Sequence, residues 1–228
     1  MNLLVIDAAT EACSVAVQVN GNIYNRFEIC PQQHSQRILP MIDEVLQEAG
    51  VTLQSLDYLG FGRGPGSFTG VRIATGILQG LALGTGLKVV GISTLAAMAQ
   101  QACVVAGGKD VFAAIDARMS EVYFAEYTFD DGVVSLVADE KVVPPELAIP
   151  TTATKDQYFG VGTGWSAYDT LIKNNKVNVL VDVLYPNALY MLPLAAKQIE
   201  AGLAVDAEDI QPVYLRDKVT WKKLPGRE

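Results

Sequence analysis

The sequence predicts an α/β protein built from two similar halves. Short apolar runs alternate with longer amphipathic segments of helical period, which is the pattern of an α/β fold. Each half opens with an apolar strand that ends in an aspartate, Asp7 or Asp116. A second strand and an Asx-Gly hairpin turn follow in both halves, at Asn20-Gly21 and at Asp131-Gly132. The shared order favours a duplication, with chance likeness as the alternative.

The elements of the first half follow from apolar periodicity and from turn signals. Ser35 is a natural N-cap for its first helix. We expect an N-terminal domain over residues 1–106, ending before the Gly107-Gly108 pair. Its strands are predicted at 3–6, 13–19, 23–29, 58–61 and 88–92, and its helices at 35–49, at 71–83 and from Thr94 onward.

The second half, residues 107–228, begins in the same way. A run of glycines at positions 160, 162 and 164 overlaps the end of its last predicted strand. We expect a C-terminal domain whose last segment packs back on the first domain. Its strands are predicted at 111–115, 121–129 and 158–161, and its helices near Ala167 and at 187–201.

Composition limits the classes of function. The 228 residues carry a formal net charge of −8, and no basic patch is visible that would bind nucleic acid unaided. The N-terminus lacks the basic region and long apolar run of a signal peptide, and no stretch is apolar enough to cross a bilayer. Cys13, Cys30 and Cys103 lack zinc spacing and suit reduced thiols. We therefore expect a cytoplasmic protein with no membrane contact.

The glycine-rich segment 62–76 is the most unusual part of the chain. It joins a predicted strand to a predicted helix, where free N–H groups could hold an anion, but it lacks the Lys-Ser/Thr pair of a Walker A loop. Ser67 or Thr69 is a natural N-cap, which explains the hydroxyls without a ligand. Arg72 lies in the first helical turn, where a positive charge opposes the helix dipole and hints at a partner.

The helix after this loop carries glycines at intervals of four. Gly76 and Gly80 lie in its interior and Gly84 near its end, and two interior glycines cost about 2 kcal/mol relative to alanine. Close approach of another backbone would offset that cost. The neighbour is either an element of the same domain or a helix of another subunit. The helix that opens at His34 has a broad apolar surface and supports the second possibility.

The sequence gives only weak support for a metal site or for phosphate chemistry. His34 is the single histidine of the sequence, so no HxxxH metal site can form, and no metal site is predicted. The order of Asp7, Asp116 and the glycines at 160–164 resembles the actin/hexokinase superfamily, in which two acids flank a cleft for magnesium and ATP. Arg118 stands where a phosphate loop would need glycine. An ATP-dependent phosphotransferase or ATPase therefore remains only as the alternative function.

Several motifs in order resemble the TsaB family over nearly the whole chain. The segments GRGPGSFTGVRIATGILQGLALG and IDARMSEVY are individually specific. The segments IDAATEACSVAV, HSQRILPMID, ISTLAAMA and PVYLR accompany them. The resemblance implies two tandem actin/hexokinase-like domains, each a mixed sheet with flanking helices.

The resemblance also implies a function. A TsaB-like chain would be the non-catalytic partner of TsaD in threonylcarbamoyl transfer to adenosine 37 of tRNA, together with TsaE. It would form a heterodimer with TsaD through helices of its N-terminal domain and could form a homodimer through the same helices. It would reach tRNA only indirectly. No cofactor is expected, ATP or ADP binding being conceivable only in the complex, and a vestigial nucleotide site would comprise Asp7, Asp116, Gly160 and Gly162. The partner-binding surface would comprise His34, Ile38, Leu39, Ile42, Ser67, Phe68, Thr69, Arg72, Thr75, Gly76 and Gly80.

Overall fold

A computed structural model describes residues 1–151, 158–175 and 177–216, which form two five-stranded sheets and six α-helices. The first sheet contains β1 (Leu3–Asp7), β2 (Ala12–Val19), β3 (Asn22–Ile29), β4 (Tyr58–Gly64) and β5 (Lys88–Ser93). The second contains β6 (Asp110–Arg118), β7 (Glu121–Asp130), β8 (Val133–Val143), β9 (Tyr158–Val161) and β10 (Val177–Val179). The helices are α1 (His34–Ala49), α2 (Phe68–Thr85), α3 (Thr94–Ala106), α4 (Gly164–Ala167), α5 (Asp169–Asn174) and α6 (Ala188–Glu200).

The two sheets have the same topology. Their strand orders are β3-β2-β1-β4-β5 and β8-β7-β6-β9-β10. In each sheet the first three strands pair antiparallel and the remaining pairs are parallel. Both hairpin turns have positive φ at their two central residues, as type I′ turns require. The predicted architecture of two similar α/β halves, each a mixed sheet with flanking helices, is therefore confirmed.

Helices cover both faces of the first sheet. All five residues of β1 are buried, which explains its unbroken apolar run. The apolar sides of α1 and α2 form one core with the outer face of this sheet. A second core joins residues of β1, β5, β6 and β7 with α3 and α6, so these two helices link the sheets.

The chain returns to the first sheet after the second is complete. At the start of α6, the backbone N–H of Ala188 donates to Ser14 Oγ on β2, at 2.9 Å. Val205 then pairs with Val89 on β5, and the N–H of Val213 donates to the carbonyl of Arg63 at 2.8 Å. The part of the predicted second domain beyond residue 216 lies outside the described residues.

Helix ends agree with the sequence in part. Ser67 caps α2 by accepting the N–H of Gly70 at 3.3 Å, so that predicted N-cap is confirmed. The N-cap predicted at Ser35 is wrong, because α1 already begins at His34 after Gln33. The strand β8 and the short elements α5 and β10 lie outside the predicted ranges. No α-helix among the described residues is long and apolar enough to cross a membrane.

Candidate docking surface and interdomain cleft

The glycine-rich loop before α2 packs directly on the turn after β1. A Cβ on Gly66 would collide with the carbonyl oxygen of Ala9, and one on Gly70 with that of Ala8. The N–H of Ser67 donates to the carbonyl of Ala9 at 2.7 Å. Close approach of two backbones within the chain therefore explains these glycines, and no bound anion is needed.

The glycines further along α2 behave differently. Gly76, Gly80 and Gly84 are exposed, and a Cβ built on any of them has no neighbouring atom within 4 Å among the described residues. Leu83 lies beside them with 69% of its surface exposed. The alternative of an internal neighbour for the glycine stripe therefore fails within the described chain. We call the exposed side of α2, from Phe68 to Gly84, the docking face.

Three residues of the expected partner-binding surface lie inside the molecule. Ile38 and Ile42 are 0% and 3% exposed because they pack α1 against its own sheet. Thr75 is 9% exposed, and its hydroxyl donates to the carbonyl of Val71 at 2.8 Å. These three side chains are not available to a partner, which corrects the prediction for them.

The other predicted contact residues lie at or near the surface. Leu39 is 47% exposed on α1 and Phe68 is 50% exposed at the start of α2. The remaining members are Ser67, Thr69, Arg72, Gly76 and Gly80, which are exposed, and His34, which is half-buried.

Arg72 has aromatic partners that the sequence did not indicate. Its guanidinium carbon lies 3.5 Å from the centroid of the Phe68 ring, and its Nε donates to Tyr214 Oη at 2.9 Å. The Phe68 and Tyr214 rings lie 5.6 Å apart. A cation held by two aromatic rings offsets the unfavourable position of a positive charge at a helix N-terminus. The half-exposed cluster of Phe68, Arg72 and Tyr214 lies at one end of the docking face, beside the opening of a cleft.

The cleft lies between the two halves and has a volume of about 1200 Å³. Its walls are the segment after β1, the start of α2, the β6–β7 turn and residues 213–216. The β6–β7 turn holds three successive non-glycine residues at positive φ, Arg118, Met119 and Ser120. Arg216 braces this turn by donating to the carbonyl of Ala117 and to Glu121, each at 3.1 Å.

The two aspartates of the expected nucleotide site have different surroundings. Asp7 is buried, its Oδ1 accepts the N–H of Ala9 at 3.0 Å, and its Oδ2 has no hydrogen-bond partner among the described residues. Burial raises the pKa of Asp7 to about 7. Asp116 lines the cleft, where it accepts hydrogen bonds from Tyr168 at 2.9 Å and from the side chain of Arg118 at 2.8 Å.

The two glycines of the expected nucleotide site, Gly160 and Gly162, allow close packing within the chain. A Cβ on Gly160 would lie 2.8 Å from the Trp165 ring, and Gly162 has a φ of 101° and faces the carbonyl of Ala114. Of the four residues in the expected vestigial site, Asp116 alone is among the described residues that line the cleft. Asp7, Gly160 and Gly162 therefore do not contribute to the lining of this cleft.

Comparisons with known proteins show the family to which the chain belongs. The family described as "TsaD: tRNA N6-adenosine threonylcarbamoyltransferase" matches residues 26–224. The "tRNA threonylcarbamoyladenosine biosynthesis protein TsaB" of Escherichia coli is 49% identical over 232 residues, which cover 100% of both chains. The chain belongs to the TsaB family.

Other TsaB-family relatives match over the same length. The protein of that name from Haemophilus influenzae is 46% identical and covers 100% of this chain and 99% of its own. The solved structure "YeaZ from Pseudomonas aeruginosa" is 43% identical with a TM-score of 0.89, covering 94% of this chain and 99% of that one.

The TsaB-family chain also contains a cluster that the sequence did not predict. The side chains of Cys13, Cys30 and His34 place one potential ligand atom each within 4.8 Å of one another. Cys13 lies on β2 and Cys30 directly after β3, so strand pairing brings them together across 17 residues. The Cys30-x₃-His34 spacing was the one available signal. Burial, and then the hydrogen bond with Cys30, raise the pKa of the Cys13 thiol.

Proposed function

We propose that this chain is the non-catalytic partner of TsaD in threonylcarbamoyl transfer to N6 of adenosine 37 in tRNAs that read ANN codons. TsaE completes the proposed machinery. The observation that carries the proposal is the open glycine stripe on α2 of a TsaB-family chain. The TsaB relatives are named as tRNA threonylcarbamoyladenosine biosynthesis proteins, which supplies the reaction.

The stripe supports docking on energetic grounds. Each glycine in the interior of a helix costs about 1 kcal/mol relative to alanine. An internal neighbour would account for that cost, but within the described residues none lies against Gly76, Gly80 or Gly84. A helix of a second subunit could approach α2 closely there, with Leu83 as an adjacent apolar contact.

The same face supports two assemblies. TsaD would occupy it in the working complex, and a second copy of this chain would occupy it when TsaD is absent. Both assemblies use an isologous or pseudo-isologous helix pair, so they exclude each other. A net charge of −8 leaves tRNA binding to the other subunits.

The proposed role places catalysis outside this chain. Asp116 is held by Tyr168 and Arg118, and Asp7 is buried behind the cleft wall with a raised pKa. ATP or ADP would enter the cleft only in the assembled complex, where a second subunit could supply further contacts. The proposed compartment is the cytoplasm.

Reconstitution of tRNA modification tests the proposal directly. TsaD and TsaE are held at constant concentration with tRNA, threonine, bicarbonate, ATP and the enzyme that forms threonylcarbamoyl-adenylate, and this chain is added or left out. We expect modified adenosine to form only when the chain is present, with a yield that saturates at one chain per TsaD. Modification at the same rate without the chain would refute the proposal.

A further inference from the structure

We propose that Cys13, Cys30 and His34 form a zinc-binding site. The potential ligand atoms lie within 4.8 Å of one another. The three residues come from different parts of the chain: Cys13 lies on β2, Cys30 directly after β3 and His34 at the first position of α1. A bound ion would therefore tie the β2–β3 hairpin to the start of α1. The site shares no residue with the docking face on α2, although His34 belongs to the expected partner-binding surface and lines the same cleft as Phe68 and Arg72.

The donor set suits zinc. Two thiolates and one imidazole are typical zinc ligands, and three protein ligands leave a fourth tetrahedral position for water or another donor. With Zn–S bonds of about 2.3 Å and Zn–N bonds of about 2.0–2.1 Å, the ligand atoms of one tetrahedral ion lie roughly 3.6–3.8 Å apart. The two sulfur atoms lie 2.6 Å apart in the structure, so they would separate by about 1 Å to bind one ion.

The hydrogen bond made by His34 leaves its other ring nitrogen available to a metal. Its Nε2 lies 2.7 Å from the carbonyl oxygen of Thr10, which can only accept a hydrogen bond. The proton is therefore on Nε2, and the lone pair of Nδ1 is left for a metal. Histidine ligands commonly donate their second N–H to a backbone carbonyl in this manner, which fixes both the tautomer and the ring.

The local backbone brings the ligands together. The N–H of Gln33 donates to the carbonyl of Cys30 at 3.0 Å, which closes a turn, and Gln32 adopts a φ of 65° within it. A non-glycine residue in the left-handed region costs of order 1 kcal/mol or more. This strained turn reverses the chain, so that His34, four residues after Cys30, comes close to both cysteines.

Charge balance suits the buried position. Cys13 is 0% and Cys30 is 2% exposed, so an uncompensated charge would be costly there. Two thiolates and one Zn²⁺ give a net charge of zero, whereas a magnesium or calcium ion would require oxygen ligands. His34 itself and the neighbouring residues Thr10, Pro31 and Gln32 line the cleft, so a water at the fourth position would come from that side.

Cobalt titration of the full-length chain, kept reduced with a phosphine, tests the proposal. We expect one Co²⁺ per chain, with thiolate-to-cobalt charge-transfer absorption in the near ultraviolet and d–d bands of tetrahedral intensity. Stoichiometric Zn²⁺ should displace the cobalt and remove both. Cys13→Ala and Cys30→Ala should each lose at least half of the charge-transfer intensity, and the double variant should lose all of it. His34→Gln should weaken cobalt binding about tenfold or more.

The third cysteine provides the matched control. Cys103 is also buried and lies on α3, so Cys103→Ala should bind cobalt like the unchanged chain. A readout without substitution is thiol alkylation followed by mass spectrometry, in which Zn²⁺ should protect Cys13 and Cys30 but not Cys103. No cobalt absorption with the reduced chain, equal absorption in the double variant, or alkylation unchanged by Zn²⁺ would each overturn the proposal. A Cys13–Cys30 disulfide that persists under the reductant would overturn it as well.

Discussion

Replacing Gly80 with leucine should stabilise the free chain and weaken its assembly. Gly80 lies in the middle of α2 and is exposed. Apart from the backbone of α2 itself, no described residue has an atom within 4 Å of a Cβ built on Gly80. Leucine exceeds glycine in helix propensity by about 0.6–0.8 kcal/mol, and no internal clash opposes this gain. For a chain of this length, that gain should raise Tm by about 1–3 °C.

The same side chain should block a helix that approaches the glycine stripe. Extra methylene groups in a close-packed interface cost typically about 1–3 kcal/mol, which corresponds to about 5- to 150-fold in affinity. Tm is measured by circular dichroism, and affinity for TsaD by calorimetry or by copurification. Lys197→Leu on α6 is the matched control, because it places the same side chain on an exposed helical position away from the docking face.

The combination of the two results separates the possible explanations. A sharp fall in Tm for Gly80→Leu would mean that the stripe packs against part of its own chain. Undiminished TsaD binding by a variant with raised Tm would mean that the partner docks elsewhere. Loss of binding by the Lys197→Leu control would show that the assay reports added surface hydrophobicity and not the stripe.

Three further predictions concern stability. Burial raises the pKa of Asp7 to about 7. Above about pH 4 the folded state therefore holds a proton that the unfolded state has lost. The free energy of unfolding should fall as the pH rises from about 4 to 7 and should then level off. Asp7→Asn should remove that fall in urea titrations across this range, and an identical pH profile for both proteins would contradict the assignment. Arg216→Met should lower the free energy of unfolding by about 1.5–3 kcal/mol, whereas Arg118→Ala, whose side chain is 75% exposed, should change it by less than about 1 kcal/mol; equal effects would contradict the bracing role. Gly160→Ala should cost about 1–3 kcal/mol through overpacking, whereas Gly76→Ala should gain about 1 kcal/mol, and chemical denaturation that reversed this order would refute the packing argument.

Local signals in the sequence predicted much of the fold. Both Asx-Gly turns were predicted because few residues other than glycine, asparagine and aspartate adopt positive φ at low cost. The cap at Ser67 was predicted because a hydroxyl satisfies a free N–H at a helix start. The three-residue strand β10 was missed, because so short a run carries no measurable periodicity. The strand β8 was given no range either, although the Asp131-Gly132 turn implies a strand after it.

The candidate site was less predictable because it depends on tertiary packing. Periodicity identifies an apolar helix face, but it does not reveal whether the chain's own sheet or a partner covers it, and Ile38 and Ile42 proved internal. Gly160 could have faced a ligand as well as an aromatic ring. The approach of Cys13 to Cys30 depends on strand register, which is fixed by burial of one sheet face and is invisible in sequence spacing.

The return of α6 to the first sheet means that the two halves are not independent pieces of the polypeptide. A fragment cut at Gly107 would keep α1, α2 and α3, yet it would expose the surfaces of β1 and β2 that α6 normally shields. Such a fragment would carry an uncovered apolar sheet face and would be expected to aggregate. An excised docking module should therefore be designed to retain residues 188–213, joined by a linker to the N-terminal segment.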